Sequence, residues 1–414
     1  MTAADRTLTL LVVWATILIG TGAAQDSATA AASVDRVRIL LEIGRLDEAI
    51  AVLRQRMASN PTDARTHSAL GSAYYLAKRP SEAMTEWRQA VAVDSTYSVP
   101  RTNIANALTD AGQLDSAIAE HRRVIALDST NPRGYIDLGA ALERKGLLDE
   151  AIAQWKHAVA INPNSATAWY NLGVTYARQK GWPEAWNALI TTTDISEWYP
   201  NGFEALAALS KDASSDLERR VREAPADTMA HYYLAYAFSY RHDWGKAMSE
   251  IDRAIALDPS RAVFHKAKGW FWSRQGHNEE AIKSYQDCIA GDSANWACHN
   301  LLGWSYNALG EPNRARDALL AAAHINPNVI GIQENLALAY LTSDSWEEAA
   351  AAGERALALG STYPLARLNL AAAYFYLQKY DLAWWHARAV ERMGHAPVRD
   401  FIRDLARHSP EPHW

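Results

Sequence analysis

Residues Asp149–Ala185 read DEAIAQWKHAVAINPNSATAWYNLGVTYARQKGWPEA. The stretch opens on Asp-Glu-Ala and closes on Pro-Glu-Ala, which puts Ala151 and Ala185 34 residues apart. Between them lie two amphipathic segments with apolar residues at three- and four-residue intervals, the spacing of one helix face. Pro163 separates them, because proline cannot continue a helix. Outward in both directions the same alanine returns. Ala49, Ala83, Ala117, Ala151 and Ala185 form one series, and Ala247, Ala281, Ala315, Ala349 and Ala383 another, each stepped by 34. The gap between the series is 62, or 34 + 28, so ten regular units flank one unit shortened by six residues. A small residue stands twelve positions before most markers (Gly71, Ala105, Gly139, Gly173, Ala235, Gly269, Gly303, Ala337, Ala371), where two helices must approach closely. Glycines at 44, 112, 146, 276 and 310 suit the left-handed residue that ends a helix.

On these residues the sequence resembles the tetratricopeptide repeat family. Trp169-x-x-Leu172-Gly173-x-x-Tyr176 matches the opening of that family's motif, and Leu302-Gly303-Trp304-Ser305-Tyr306 repeats most of it. The resemblance covers about 30 to 397 and implies an all-α fold, a right-handed α-α superhelix. No unit can bury its apolar face alone, so neighbours stack into one continuous core. The expected organisation is five repeats over 30–199, an irregular repeat over 200–227 that divides the array into five and five, and five repeats over 228–397. Residues 398–414 read as a capping helix and tail. Within 200–227, Phe203–Leu209 and Leu217–Val221 read as two short helices after a Pro200-Asn201-Gly202 turn.

Residues 1–24 carry an apolar run from Leu8 to Ile19 closed by small residues, the pattern of a secretory signal cleaved after Ala24. An uncleaved segment over 8–24 is the alternative, a membrane anchor. Residues 25–35 are a small, polar, flexible lead-in. The expected location is exported, periplasmic or extracellular. Cys288 ends one helix and Cys298 begins the next, and an exported location permits a disulfide between them. The net charge is −6 with no long basic run, which argues against a nucleic-acid partner.

No phosphate loop, nucleophile elbow, zinc-binding His-Glu-x-x-His or haem-attaching Cys motif occurs, and the repeats leave no room for a catalytic domain. The chain reads as a non-enzyme with neither cofactor nor metal. His231, His265 and His299, also spaced by 34, form a row on successive first helices. Packed helices lie about 8–10 Å apart and zinc–nitrogen bonds measure about 2 Å, so the row reads as packing residues replacing the usual Trp.

The excess of aromatics, 16 Trp and 18 Tyr against six Phe, divides by position. Trp87, Trp155, Trp169, Trp182, Trp244, Trp272 and Trp346 sit at packing positions of the repeat. The resemblance implies that first helices line a concave groove, with the ninth repeat position facing it. Tyr236, Trp270 and Trp304 hold that position in three successive repeats, Tyr232 and Tyr240 share the face of Tyr236, and Lys266, Arg274, Asn300, Asn307 and Glu334 surround the row. Such a row suits a protein or peptide ligand. The competing reading is that the aromatics pack on each other. The basic clamp of chaperone-binding members is rejected, because Trp270 and Leu301 stand where asparagines are needed. Two other functions remain open. One is a structural subunit of a larger envelope complex, docked through the irregular unit beside Trp198 and Tyr199, through Trp384–Trp385, or through the tail Pro412-His413-Trp414. The other is a carbohydrate-binding or enzyme accessory protein.

Overall fold

The computed structural model describes residues 36–197, 199–360, 363–394 and 398–412. Residues 1–35, with the targeting segment and lead-in, lie outside it, as do Trp198 and the final two residues of the tail. All regular structure among the described residues is α-helix, arranged as consecutive antiparallel-type pairs with short joints. Helix 36–43 pairs with Leu46–Ser59, and Ala166–Arg178 with Trp182–Ile195. Inside every one of the ten pairs the joint carries a left-handed residue. Five are the glycines read from sequence, at φ of 72–87°. The other five are Lys78, Lys180, His242, Asp344 and Gln378, at φ of 57–63°. A side chain there costs about 1–2 kcal/mol, so packing of the two helices imposes the turn even where the local sequence does not favour it.

The small residue twelve positions before each marker alanine has a direct packing reason. A Cβ added at Gly71 would come 2.5 Å from the Trp87 indole, at Gly173 2.6 Å from Leu189, at Gly269 2.5 Å from Tyr285 and at Gly303 2.5 Å from Leu319. In each case the large residue lies 16 positions later, on the second helix of the same pair. Of the tryptophans expected in the core, Trp87 and Trp155 are fully buried. Trp169, Trp182, Trp244, Trp272 and Trp346 are only partly so, because they lie at helix ends or repeat edges. Trp182 donates to Asp216 at 2.9 Å, and Trp346 stacks on Tyr376 with centroids 4.1 Å apart.

His121 occupies the place of Trp87 and Trp155, 16 positions after Ala105. It is 1% exposed, and neither ring nitrogen has a hydrogen-bond partner. Burial lowers its pKa below the ordinary 6.5, with Asp137 opposing that shift and Arg133 reinforcing it. The unfolded chain therefore binds a proton that the folded chain refuses, and stability falls as pH drops below about 6.5. The melting temperature is expected to fall by several degrees more in the native protein than in His121→Gln between pH 7 and 5. Equal pH slopes in thermal unfolding of the two proteins would refute this.

The chain forms two compact units, 36–163 together with 384–412, and 164–383. The irregular segment has five helix pairs before it and five after it in the chain, and it lies inside the second unit. It is not a pair of short helices. It is one helix of 22 residues, Gly202–Glu223, entered through Asn201 in the left-handed region. Its polar middle, which reads as a break in sequence, contains neither Gly nor Pro. Ser214 satisfies its hydroxyl on the Ser210 carbonyl one turn earlier. Leu206, Leu209, Ala213 and Leu217 share a core with Trp186 and Tyr236.

In the first unit the two ends of the described chain meet. Arg392 donates from Nη1 to the Leu41 carbonyl at 2.8 Å and also to that of Glu42, capping the C-terminal end of helix 36–43. Arg38 lies over the Trp385 ring at 4.6 Å. The expected cap, Val398–His408, buries Val398 and Leu405. Beyond its end, Glu411 pairs bidentately with Arg388, and Ser409 accepts from Trp384 at 3.2 Å. Trp384 and Trp385 are thus 2% and 7% exposed, spent on this packing and not presented as a docking surface. Among the described residues no helix is long and apolar enough to cross a membrane.

Candidate functional site

In the second unit, five helices converge on one cavity: Trp182–Ile195, Thr228–Tyr240, Ala262–Arg274, Trp296–Ala308 and Ile330–Thr342. Four of them are first helices of successive repeats. The fifth, Trp182–Ile195, arrives from the far side because the curvature of the stack returns it to Ile330–Thr342. A Cβ on Gly331 would lie 3.3 Å from the Ile195 carbonyl oxygen. Nearby, the Asn164 and Asn326 side chains exchange two hydrogen bonds, at 2.8 and 2.9 Å, across 162 residues of chain.

Of the expected groove residues, Tyr236, Tyr240, Lys266, Trp270, Asn300 and Glu334 line the cavity. Tyr232 is 4% exposed and packs on Phe264 and Tyr236, behind the wall. Trp304 is half-buried and is not part of the wall. Arg274 stands beside it, with its guanidinium 5.8 Å from the Trp270 ring centroid and 5.2 Å from that of Phe203. Asn307 donates to the Asn335 carbonyl at 3.2 Å. The open aromatic row expected from sequence is therefore corrected. Tyr236 is 4% exposed and its ring centroid lies 5.7 Å from that of Trp270, 5.2 Å from Phe271 and 6.2 Å from Trp186. Burial pushes the hydroxyls of Tyr232, Tyr236 and Tyr240 well above their usual range, so all three stay protonated.

The polar half of the cavity is built from charges. Lys266, 7% exposed at its side chain, is ion-paired with Asp194, 20% exposed, across 72 residues of sequence. Three residues beyond Asp194, Glu197 is partly buried, and burial raises its pKa against the weaker opposing pull of Arg274. Glu334 is 7% exposed, and Asn300 accepts from Asn335 at 3.0 Å. The cavity is small, with room for one or two waters or the end of one side chain.

The histidine row lies elsewhere and has a structural task. Nε2 of His231, His265 and His299 donates to the carbonyl six residues earlier, Pro225, Pro259 and Ser293, at 3.1, 2.9 and 3.2 Å. These bonds hold the joint between repeats, and Gln333 makes the same bond to Pro327. No group of residues among those described could hold a metal ion. Cys288 and Cys298 form a disulfide, with Cα atoms 6.3 Å apart, between helices Asn278–Gly291 and Trp296–Ala308.

Two family models of tetratricopeptide repeats match the chain, one over 105–146 and 144–180 and the other over 273–330. These spans fall on helix pairs of the 34-residue period in both units. The chain is a tetratricopeptide repeat protein. A model described as bacterial transcriptional activator domain also matches, over 17–96. Among solved structures, the chain is similar to MamA protein (17% identity, 48% of this chain and 92% of that one, TM-score 0.32). It is similar to yeast Tom70 (11%, 93% and 97%, 0.44). It is also similar to a chain of the APC/C hetero-tetramer Cut9-Hcn1 (12%, 97% and 93%, 0.43). No curated relative matches.

For this tetratricopeptide repeat protein, reading each repeat alone missed Asp194 and Glu197. Both lie at the end of a second helix, outside the groove positions of the repeat. The available signal was Lys266, a lysine on a groove face with no acid near it in sequence, which a buried setting would require to be paired.

Proposed function

We propose that this protein is a non-enzymatic scaffold that binds a protein partner on the concave face of the second unit, at the cavity bounded by Tyr240, Trp270 and Glu334. A tetratricopeptide scaffold fits protein interaction in general. The observation that supports this face is the convergence of five helices, two half-buried aromatics and several buried polar groups on one recess. Apolar walls with a few oriented polar groups are what a recognition pocket needs. The partner segment lies over the recess and inserts one side chain; the bulk of the groove is filled by the protein's own tyrosines.

An exported location is part of this proposal. The Cys288–Cys298 disulfide supports it, since such bonds persist in oxidising compartments.

Affinity capture from native extracts, followed by cross-linking mass spectrometry, tests the reading. Trp270→Ala is expected to lower recovery of the cross-linked partner at least about tenfold, the loss typical of an aromatic anchor. Trp346→Ala, on a different aromatic stack, should leave it unchanged. Equal recovery with Trp270→Ala would refute the site. The same purified protein, sequenced from its N-terminus, should begin at Gln25; a start at Met1 would refute cleavage.

A further inference from the structure

The recess has two facing sides that belong to opposite ends of one arc. Thr193, Asp194 and Glu197 come from the end of Trp182–Ile195 and the residues after it, and Gly331, Glu334 and Asn335 from the start of Ile330–Thr342. Between the sides the chain runs through Gly202–Glu223 and three complete helix pairs. Contacts inside a repeat do not set the distance across the arc, because that distance sums the rotations at successive repeat interfaces. The recess therefore depends on what ties one end of the arc to the other. The Asp194–Lys266 ion pair fastens the first side to the middle of the arc and does not reach the second.

Two other features join the ends. The first is the amide pair. Asn164 lies in the turn before Ala166–Arg178, and Asn326 caps the end of Pro312–Ile325. Each side chain donates to the other and accepts from it, at 2.8 and 2.9 Å. The second is a glycine. Gly331 is the second residue of its helix, and in every other first helix from Ala64–Leu76 onward that residue carries a side chain, as at Thr167, Val263 and Leu365. Glycine is a poor helix former, so local propensity gives no reason for it here. The closure does: a Cβ on Gly331 would stand 3.3 Å from the Ile195 carbonyl oxygen and 3.7 Å from the Asn300 amide nitrogen. Neither feature is needed to fold a repeat. Each pair closes around its own apolar contact, as Gly303 does against Leu319.

We propose that Asn164, Asn326 and Gly331 are positioning residues for the concave-face site: they close the arc of the second unit, and the two sides of the recess face each other only while it is closed. The consequence for binding rests on the concave-face reading above; the closure itself does not.

The test first measures the arc of the full chain without a partner. The native cysteines are bonded to each other, so Glu184→Cys/Thr342→Cys supplies two exposed positions for spin labels on the helices of the two sides. Double electron–electron resonance reads their separation. In this background Asn164→Asp and Asn326→Asp should each leave it unchanged, because the remaining amide still donates to the new carboxylate. Asn164→Asp/Asn326→Asp sets two carboxylates against each other at about pH 8, so the separation should lengthen and broaden while circular dichroism shows undiminished helix. Gly331→Leu should do the same, although leucine is the better helix former. In the unlabelled chain, recovery of the cross-linked partner should fall at least about tenfold with the double Asp variant and with Gly331→Leu, and hold with either single Asp variant. An unchanged separation in both the double Asp variant and Gly331→Leu overturns the proposal, as do losses in the single Asp variants that add up to that of the double. A lengthened separation with undiminished recovery would instead refute the concave-face reading, and with it the role of these residues in binding.

Discussion

Trp155→Ala is expected to destabilise the first unit by about 3–5 kcal/mol, the cost of removing a large aromatic from a closed core. Trp155 is completely buried, and its indole lies across Gly139, where an added Cβ would sit 2.7 Å from Cδ1. Its Nε1 donates to the Ile136 carbonyl at 3.2 Å. The substitution leaves a cavity between the two helices of one repeat and removes a buried hydrogen bond. Neighbouring repeats cannot slide in to fill the space, because each is held by its own small residue and its own large partner. Stability in a stacked array is a sum of repeat and interface terms, so the loss should spread to the adjoining pairs. Urea unfolding followed by circular dichroism measures the total. Hydrogen exchange should show protection lost first in Pro132–Arg144 and Leu148–Ile161. A loss below about 1 kcal/mol would mean that the pair is not closed around this side chain.

Lys266→Met carries the second large effect, about 3–5 kcal/mol in the second unit. The cause differs: the methionine fits the space, but Asp194 is left as a carboxylate in a recess that faces Glu197 and Glu334. The double variant Asp194→Leu/Lys266→Met should recover most of the loss, because removing both charges also removes their desolvation cost. Denaturant unfolding of the two single variants and the double variant gives the coupling. Additive losses would show that the ion pair is not enclosed. The cycle also separates stability from recognition. The double variant removes one charge of each sign, so it should refold with the net charge of the cavity wall unchanged.

The period of 34 made the fold legible because it is a local property. Each step of the chain repeats the same helix, turn and helix, so the marker alanines and the small residue before each report packing inside one pair. Ala151 and Ala185 needed no knowledge of distant residues. His121 was equally accessible, since it stands where Trp87 and Trp155 stand. The helix Gly202–Glu223 was misread because its polar centre interrupts the apolar rhythm, although no residue in it can stop a helix.

The groove residues were only partly legible, and the reason is curvature. Positions within a repeat indicate which side chains point inward, and six of the ten named residues do line the cavity. They do not indicate how tightly the stack bends. That bend brought Asp194 to Lys266 and Asn164 to Asn326, and it turned Tyr236 from an open surface into a wall. It is the sum of small rotations at every repeat interface, each set by the side chains packed there. The sequence by itself therefore determined the repeat, the helix pairs and the inward-facing positions. Only the tertiary structure decided which inward-facing residues meet, because that depends on contacts between segments 70 to 160 residues apart, which no single repeat contains.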